Sequence, residues 1–273
     1  MRYAVLMLAA VLGFGAGSDY RLQVEKWHQS YEQKLQKPDG WLSVAGLFWL
    51  HEGVNRVGSD PQSDVVLPKD LPWSVGTLKL ADKTAIFHDA SGDHALVADK
   101  DPVWIGRVSI VLIERNQKIA VRMRDPNADT RTHFAGSKWF PIKEEYRVEA
   151  KWIPYDPPRT IRIASILGYS SDEPSPGYAE FQLHGDTFRL EPIVEEPGEL
   201  FFIFKDQTAG HETYGAGRFL DTATAIDGLV VLDFNESYNP PCAFTAFATC
   251  PLPPRQNVLA TRIEAGELKY GNH

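Results

Sequence analysis

Two residues in the segment "HETYGAGRFL", Tyr214 and Arg218, carry groups that could bind a small anion. They are four residues apart, so on a β-strand their side chains lie on the same face. A guanidinium beside a hydroxyl can hold a carboxylate or a phosphate. The alternative is an Arg–Glu pair on the sheet surface, and both interpretations remain open. The opposite face carries Gly215 and Gly217, which leave room for a ligand or for another chain segment.

Further candidates come from a basic strand and its neighbourhood. The segment "KIAVRMR" predicts a strand with four residues on one face, Lys118, Ala120, Arg122 and Arg124. That face is interpreted either as solvated surface or as the wall of an anion site. Arg124 or Arg131 would join Arg218 if their strands pack side by side.

The segment "FNESYNPPC" adds three polar residues with both donors and acceptors, Asn235, Tyr238 and Asn239. They either stabilise the turns before Cys242 or line a pocket with Arg218. All seven candidates, Arg124, Arg131, Tyr214, Arg218, Asn235, Tyr238 and Asn239, therefore predict a binding site for a small anionic molecule or a protein partner.

Other chemistry finds little support in the spacing of residues. The histidines form neither HExxH nor HxH, so no metal site is predicted, and Glu180 with His184 is interpreted as a pair on a sheet. Neither Ser137 nor Ser170 has the context of a nucleophile elbow, and "YGAGRF" is a poor nucleotide loop. We predict no cofactor. A hydrolase that uses paired carboxylates in the C-terminal part of the chain remains the alternative function.

The chain has two cysteines, Cys242 and Cys250, in the proline-bracketed segment "YNPPCAFTAFATCPLPP". In an oxidising compartment they would form a disulfide bond that closes a small loop. Two buried free thiols are the alternative. A metal site is disfavoured because neither a CxxC motif nor a nearby histidine completes a ligand set.

Charge and the N-terminal segment limit the partners and the compartment. The formal net charge of -8 argues against nucleic acid, which binds to basic surfaces. Residues 1–17 combine an early Arg2 with an apolar run and small residues at Gly15 and Gly17, the pattern of a cleavable signal peptide. The protein is therefore predicted to be periplasmic or extracellular, and we expect no membrane span.

Hydrophobic periodicity predicts a mainly β protein that begins with one helix. An amphipathic pattern favours a helix over residues 18–38, capped by Ser18 or Asp19. Afterwards, short runs of β-branched and aromatic residues alternate with turn residues, and hairpins are predicted at Asn116–Gln117 and Gly185–Asp186. We expect a β-sandwich over residues 39–124 and an antiparallel β domain, either a sandwich or a barrel, over residues 125–273.

The segment "VGSDPQSDVVLPKDLPWSVGTLKL" resembles the forkhead-associated domain, which recognises phosphothreonine. That family places an arginine directly after the glycine and a histidine in a Ser-x-x-His element. Here those positions hold Ser59 and Thr77. Since a hydroxyl lacks both the charge and the fork of a guanidinium, phosphothreonine binding is not expected. Gly58, Asp60 and Asp64 would then serve the turn itself.

Most of residues 41–270 resembles a widespread bacterial and archaeal family of unknown function. The segments that carry the resemblance are "RDPNADTRTHFAGSKWFPI", "YDPPRTIRI", "FKDQTAGHETYGAGRFL" and "DFNESYNPPCAFTAFATCPLPPRQNVL". The resemblance implies no particular activity.

Overall fold

The computed structural model describes residues 16–271, and within this range the chain is mainly β with one long N-terminal helix. Residues 1–15, most of the predicted signal peptide, lie outside the described residues. The helices are α1 (Ala16–Leu35) and α2 (Asp129–Thr132). The strands are β1 (Val44–Trp49), β2 (Gly53–Gly58), β3 (Val65–Val66), β4 (Gly76–Ala81), β5 (Thr84–Asp89), β6 (Gly92–Leu96), β7 (Val103–Ile105), β8 (Val108–Arg115), β9 (Lys118–Arg124), β10 (Arg147–Ala164), β11 (Ser170–Leu183), β12 (Asp186–Leu190), β13 (Glu199–Phe204), β14 (Arg218–Ala223) and β15 (Leu229–Asp233).

The N-terminal half, which we define as residues 44–124, forms two sheets around a shared core. One sheet has the order β1-β9-β8-β7 and the other the order β3-β2-β4-β5-β6. The core contains inward-facing residues of both sheets, among them Val57, Phe87 and Leu112. On β9, Ile119, Val121 and Met123 face this core, which confirms the predicted alternation of that strand.

Strands β8 and β9 form the predicted hairpin. Arg115 pairs with Lys118, and the two turn residues Asn116 and Gln117 both have positive φ angles, 50° and 63°. That backbone conformation joins strands tightly because its twist matches theirs. The hairpin fixes the side-chain directions along β9.

In the turn after β2, the two carboxylates have the predicted role, whereas Gly58 permits a close contact between two backbones. A Cβ on Gly58 would lie 2.1 Å from the carbonyl oxygen of Trp73, so a close approach of two backbones requires the glycine. Asp64 accepts a hydrogen bond from the Arg56 amide at 2.6 Å, and Asp60 accepts one from the Gln62 amide at 2.9 Å. Both carboxylates thus bind nearby amides, as the sequence predicts.

The C-terminal half, residues 125–271, contains one sheet of order β12-β11-β10-β15 and a second sheet formed by β13 and β14. Strand β13 is buried on both faces. Leu200, Phe202 and Phe204 enter the main core of this half, while Phe201 and Ile203 enter a smaller apolar cluster on the other side. A continuous apolar run such as "LFFIF" suits a strand that is covered on both faces.

Helix α1 packs against the C-terminal half. His28 Nε2 lies 2.8 Å from the carbonyl oxygen of Asn235, and the Tyr31 hydroxyl donates to the carbonyl of Asn239 at 3.2 Å. The buried positions Val24, His28 and Leu35 follow the helical period. The observed end at Leu35 precedes the predicted end by three residues, before the turn at Gly40.

Candidate functional site

A cavity of about 620 Å³ lies between the two halves of the chain and the end of helix α1. Segments from both halves line it, including the β8–β9 hairpin, the ends of β10 and β14, and the loop before Cys250. Its size suits a small organic molecule, and ligand sites often lie at the junction of two structural units.

Arg122 of β9 lies on the wall of this cavity. The residue is only 6% exposed, and the centre of its guanidinium lies 4.8 Å from the centroid of the Trp41 ring. Its Nη2 donates to Thr249 Oγ1 at 3.4 Å, whereas its Nε has no hydrogen-bond partner. Within residues 16–271, no carboxylate forms an ion pair with it. Burial, and secondarily the nearby charges of Arg115 and Arg124, lower the pKa of Arg122 to about 10.

Arg115 approaches the same hydroxyl from the end of β8. Its Nε donates to Thr249 Oγ1 at 3.3 Å, and its Nη1 lies 3.6 Å from Asp99. Two guanidinium groups therefore share a single neutral acceptor. Like charges so close repel each other, and an anion between them would relieve that repulsion while it accepts the free donor of Arg122. We call Arg115, Arg122 and Thr249 the arginine pole.

The floor of the cavity is aromatic and apolar. Phe201 and Phe219 meet edge to face with centroids 4.8 Å apart, and Phe219 meets Tyr238 in the same way at 5.8 Å. Tyr31 of α1 lies against Tyr238 at 5.0 Å. Because β13 and β14 also enter the main core, this floor is rigidly supported.

Four carboxylates line the cavity. Glu114 forms an ion pair with Lys83 at 2.6 Å, and we call the other three, Glu173, Glu195 and Asp221, the acidic rim. Asp221 accepts a hydrogen bond from the Tyr238 hydroxyl at 2.7 Å. The pKa of Asp221 is raised, mainly because surrounding protein displaces water from it. The pKa of Glu195 is raised for the same reason, with a further contribution from Asp221 and Glu173, although its side chain remains in contact with solvent.

The predicted candidate Arg218 lies elsewhere, in the centre of the C-terminal half. It is 1% exposed, and its Nη2 contacts Asp206 at 3.2 Å and the carbonyl oxygen of Ile263 at 3.1 Å. Its Nη1 donates to the carbonyl of Ala265. These contacts hold the C-terminal segment against β14.

Tyr214 does not share a strand face with Arg218, so that prediction is wrong. Strand β14 begins only at Arg218, and the preceding residues form turns in which Thr208 and Thr213 bond through their hydroxyls at 2.8 Å. Tyr214 donates instead to the carbonyl of Cys242 at 3.1 Å. Gly217 has a φ of 100°, which a strand would not allow.

Arg124 and Arg131 also lie apart from Arg218. Arg131 donates to the carbonyls of Gln36 at 2.8 Å and Pro126 at 2.7 Å, so it connects loops. Arg124 lies next to Arg122 along β9 and lines a smaller cavity of about 330 Å³, to which Arg122 also contributes. Its Nε has no partner, and burial lowers its pKa.

The three candidates of "FNESYN" divide between two roles. Asn235 is buried and bonds to Lys143 and Asp233, which stabilises the turn. Tyr238 and Asn239 line the cavity. The backbone amide of Asn239 also donates to Glu267 Oε2 at 2.7 Å. Burial raises the pKa of Glu267 to about 7.

The predicted disulfide bond is absent, because Cys242 and Cys250 are free thiols. The amide of Cys242 donates to the sulfur of Cys250 at 3.2 Å. Cys250 lies in the cavity wall, where the neighbouring Cys242 and burial raise its pKa.

Sequence reasoning missed most of the cavity. The sequence identified Arg122 only as a member of the basic face of β9, and in the structure this residue is buried and lines the cavity. Trp41, Arg115, Thr249 and the acidic rim gave no signal, because they come from separate segments.

No three His, Cys, Asp or Glu side chains within residues 16–271 converge closely enough to hold a metal ion. None of the helices in that range has the length and apolar character of a membrane span.

Comparisons with known proteins place the chain in a family without assigned activity. A search among curated proteins found no match. A solution NMR structure of an uncharacterised protein from Haloarcula marismortui is similar, with 30% identity over 52% of this chain and 81% of that chain, at a TM-score of 0.44. A family model described as "Protein of unknown function (DUF1684)" matches residues 132–268, half of the chain. The resemblance of residues 39–124 to the forkhead-associated domain lies before this match and stays a prediction. The chain therefore belongs to the DUF1684 family of proteins of unknown function.

Proposed function

We propose that the protein binds a small organic anion, a carboxylate or a phosphate ester, in the cavity between its two halves. The observation that carries the proposal is the buried guanidinium of Arg122, which has an unpartnered Nε and no carboxylate partner among the described residues. A buried charge without a counter-charge is costly, and proteins usually pair it. The arginine pole supplies donors in the fork geometry that carboxylates and phosphates accept.

The apolar floor supports a ligand with a carbon body. Phe201, Phe219 and Trp41 offer aromatic surface next to the arginine pole. Burying such a body would add binding energy of about 25 cal/mol for each Å² of apolar surface removed from water. An inorganic ion would leave this surface unused.

The test is a calorimetric titration of the full protein with a panel of carboxylates and phosphate esters. For the variant Arg122→Met we expect at least about a tenfold loss of affinity, since hydrogen bonds to a charged group contribute roughly 1.5–3 kcal/mol. Lys118→Met is the matched control, because it removes a charge from the exposed start of the same strand. Equal affinities in the two variants, or no binding of any anion to the parent protein, would refute the proposal.

A second candidate function is hydrolysis at the same cavity. The observation that favours it is the pair Glu195 and Asp221, whose raised pKa values suit a general acid. Turnover of chromogenic esters or glycosides that Glu195→Gln abolishes would support it. If compounds of both substrate classes bind but none is hydrolysed, the hydrolysis proposal is refuted and the binding proposal remains.

We also propose that the protein is exported to the periplasm or the cell exterior. The support is the apolar run behind Arg2 with small residues at Gly15 and Gly17. Mass spectrometry of the protein from its native host would show a chain that begins at Ser18. A full-length chain that starts at Met1 would contradict export by cleavage.

A further inference from the structure

We propose that the ligand is a zwitterion whose ammonium and carboxylate are separated by a short carbon chain, such as an ω-amino acid or a short peptide. This inference rests on the proposed function. It assigns the arginine pole to the ligand's carboxylate and the acidic rim to its ammonium group.

The cavity carries charges of both signs, and among the described residues neither Arg122 nor the acidic rim forms an ion pair with an oppositely charged side chain, although Arg115 pairs with Asp99. No basic side chain within residues 16–271 forms an ion pair with Glu173, Glu195 or Asp221. Arg122 likewise has no carboxylate partner, and its Nε is unpartnered. A ligand with only a negative group would satisfy one side of the cavity and leave the other unpaired.

The charges that a ligand meets as it enters the cavity also favour a zwitterion. The protein has a net charge of -8, and the three carboxylates of the acidic rim line the same cavity as the arginine pole. A simple anion is repelled by such a rim, because a cleft lined by one sign of charge concentrates the opposite sign. A zwitterion meets attraction at the rim and at the arginine pole. The acidic rim therefore discriminates against ligands that the arginine pole alone would accept.

The separation of the charged groups in the cavity favours a ligand whose own two charges are apart. The charges of Arg115 and Glu195 affect each other, yet the two side chains do not form an ion pair. The apolar floor of Phe201 and Phe219 lies in the same cavity as both groups. Because the protein's two charged groups do not touch and apolar rings line the same cavity, a ligand with a methylene chain or a peptide unit between its charges fits better than glycine with its single carbon.

The test is a titration of the full protein with four matched series of increasing length. The zwitterions are glycine, β-alanine, γ-aminobutyrate, δ-aminovalerate and ε-aminohexanoate, and alanyl-alanine represents peptides. The monocarboxylates lack the amine, the dicarboxylates replace it by a second acid, and the alkylamines lack the acid. We expect a zwitterion longer than glycine to bind about five- to tenfold more tightly than its matched monocarboxylate, since partly exposed ion pairs contribute modestly. Dicarboxylates should bind most weakly among the acids.

The variant Glu195→Gln tests the assignment of the rim. We expect it to remove most of the preference for the zwitterion while the matched monocarboxylate binds as well as before, or better. Glu196→Gln is the matched control, because this neighbouring carboxylate is exposed like Glu195 but lies outside the cavity lining. The side chain of Glu195 makes no hydrogen bond that supports the fold, so both variants should remain folded.

The outcomes separate the two proposals. Monocarboxylates or dicarboxylates that bind as tightly as zwitterions, with no change in Glu195→Gln, would overturn this inference and leave anion binding intact. A panel in which no acid binds, or in which Arg122→Met retains full affinity, would overturn the proposed function as well. Alkylamines that bind as tightly as the zwitterions would also overturn the inference, because the arginine pole would then contribute nothing.

Discussion

Arg218 and Arg122, the two most buried arginines among residues 16–271, have opposite surroundings. Arg218 contacts Asp206 and two backbone carbonyls, and only its Nε lacks a partner. Arg122 contacts one hydroxyl at 3.4 Å and an aromatic ring, beside a cavity of about 620 Å³. Burial lowers the pKa of both, but only Arg218 has a carboxylate that opposes the shift at contact distance. The difference separates a charge that the fold needs from a charge that a ligand can use.

The largest expected effect is the loss of the Arg218 network. Arg218→Met should lower the free energy of unfolding by about 3–5 kcal/mol, because it leaves Asp206 buried without its partner. Denaturant unfolding would measure this, and a chain that no longer folds is the extreme form of the same result. Arg262→Met is the control, since its ion pairs with Glu212 and Glu264 are exposed and should contribute less than about 1 kcal/mol. Equal effects in the two variants would remove the distinction between the arginines.

A slightly smaller effect is expected from Glu267, whose ionisation makes the stability of the protein depend on pH. Glu267 lies near Arg218 and accepts a hydrogen bond from the backbone amide of Asn239. Its pKa is raised from 4.5 to about 7 in the folded protein because it is buried. Its contribution to stability is therefore complete below pH 4.5 and is lost as the pH rises to about 7. Glu267→Gln, which stays neutral, should gain up to about 3 kcal/mol relative to the parent protein between pH 5 and pH 8. The measurement is urea unfolding of both proteins at several pH values. The prediction is contradicted if their free energies of unfolding change in parallel with pH.

Gly217 offers a third test, because it positions the start of β14 just before Arg218. Its φ is 100°, and a Cβ would lie 2.5 Å from the carbonyl oxygen of Phe204. Gly217→Ala should cost roughly 1–3 kcal/mol in stability through strain and displacement. Gly215→Ala is the matched control, since its Cβ would meet nothing closer than 3.7 Å. Thermal unfolding would compare the two, and a tolerated Gly217→Ala would mean that β14 shifts freely.

The smallest expected effect on stability is that of Arg122→Met in the absence of ligand. Since the guanidinium is buried without a counter-charge, its replacement by an apolar side chain should change the free energy of unfolding by less than about 1 kcal/mol or raise it. The same variant is expected to lose ligand affinity. A destabilisation as large as that of Arg218→Met would show that Arg122 supports the fold.

The sequence predicts local features of this molecule well. The spacing of Leu22, Val24, Trp27, Tyr31 and Leu35 predicts α1; Val24 and Leu35 are buried, whereas Leu22 is exposed. The alternation along β9 predicts which residues face the core. The turn at Asn116–Gln117 follows from the two flanking β-type runs and from Asn116, which tolerates a positive φ. Each of these features depends on neighbours within a few residues.

Features that depend on distant segments were not predictable in the same way. Tyr214 and Arg218 have the spacing of a strand, but the Gly217 amide donates to the carbonyl of Tyr214 at 3.1 Å and closes a turn between them. The sequence alone does not show whether Arg122 is exposed, because the two residues that contact its guanidinium, Trp41 and Thr249, are distant in the chain. Glu195 and Asp221 resemble any other charged residue in an acidic chain, and only the folding of β13 and β14 brings them to one cavity.

The cavity also divides along the boundary of the family match. Glu173, Glu195 and Asp221, together with the aromatic residues of β13 and β14, fall within residues 132–268, whereas Arg115 and Arg122 precede them. A chain made of the matched segment alone would keep the carboxylates and lose the guanidinium groups. If the proposed function is correct, exchange of the N-terminal half would change the positively charged side of the cavity and leave its carboxylates in place.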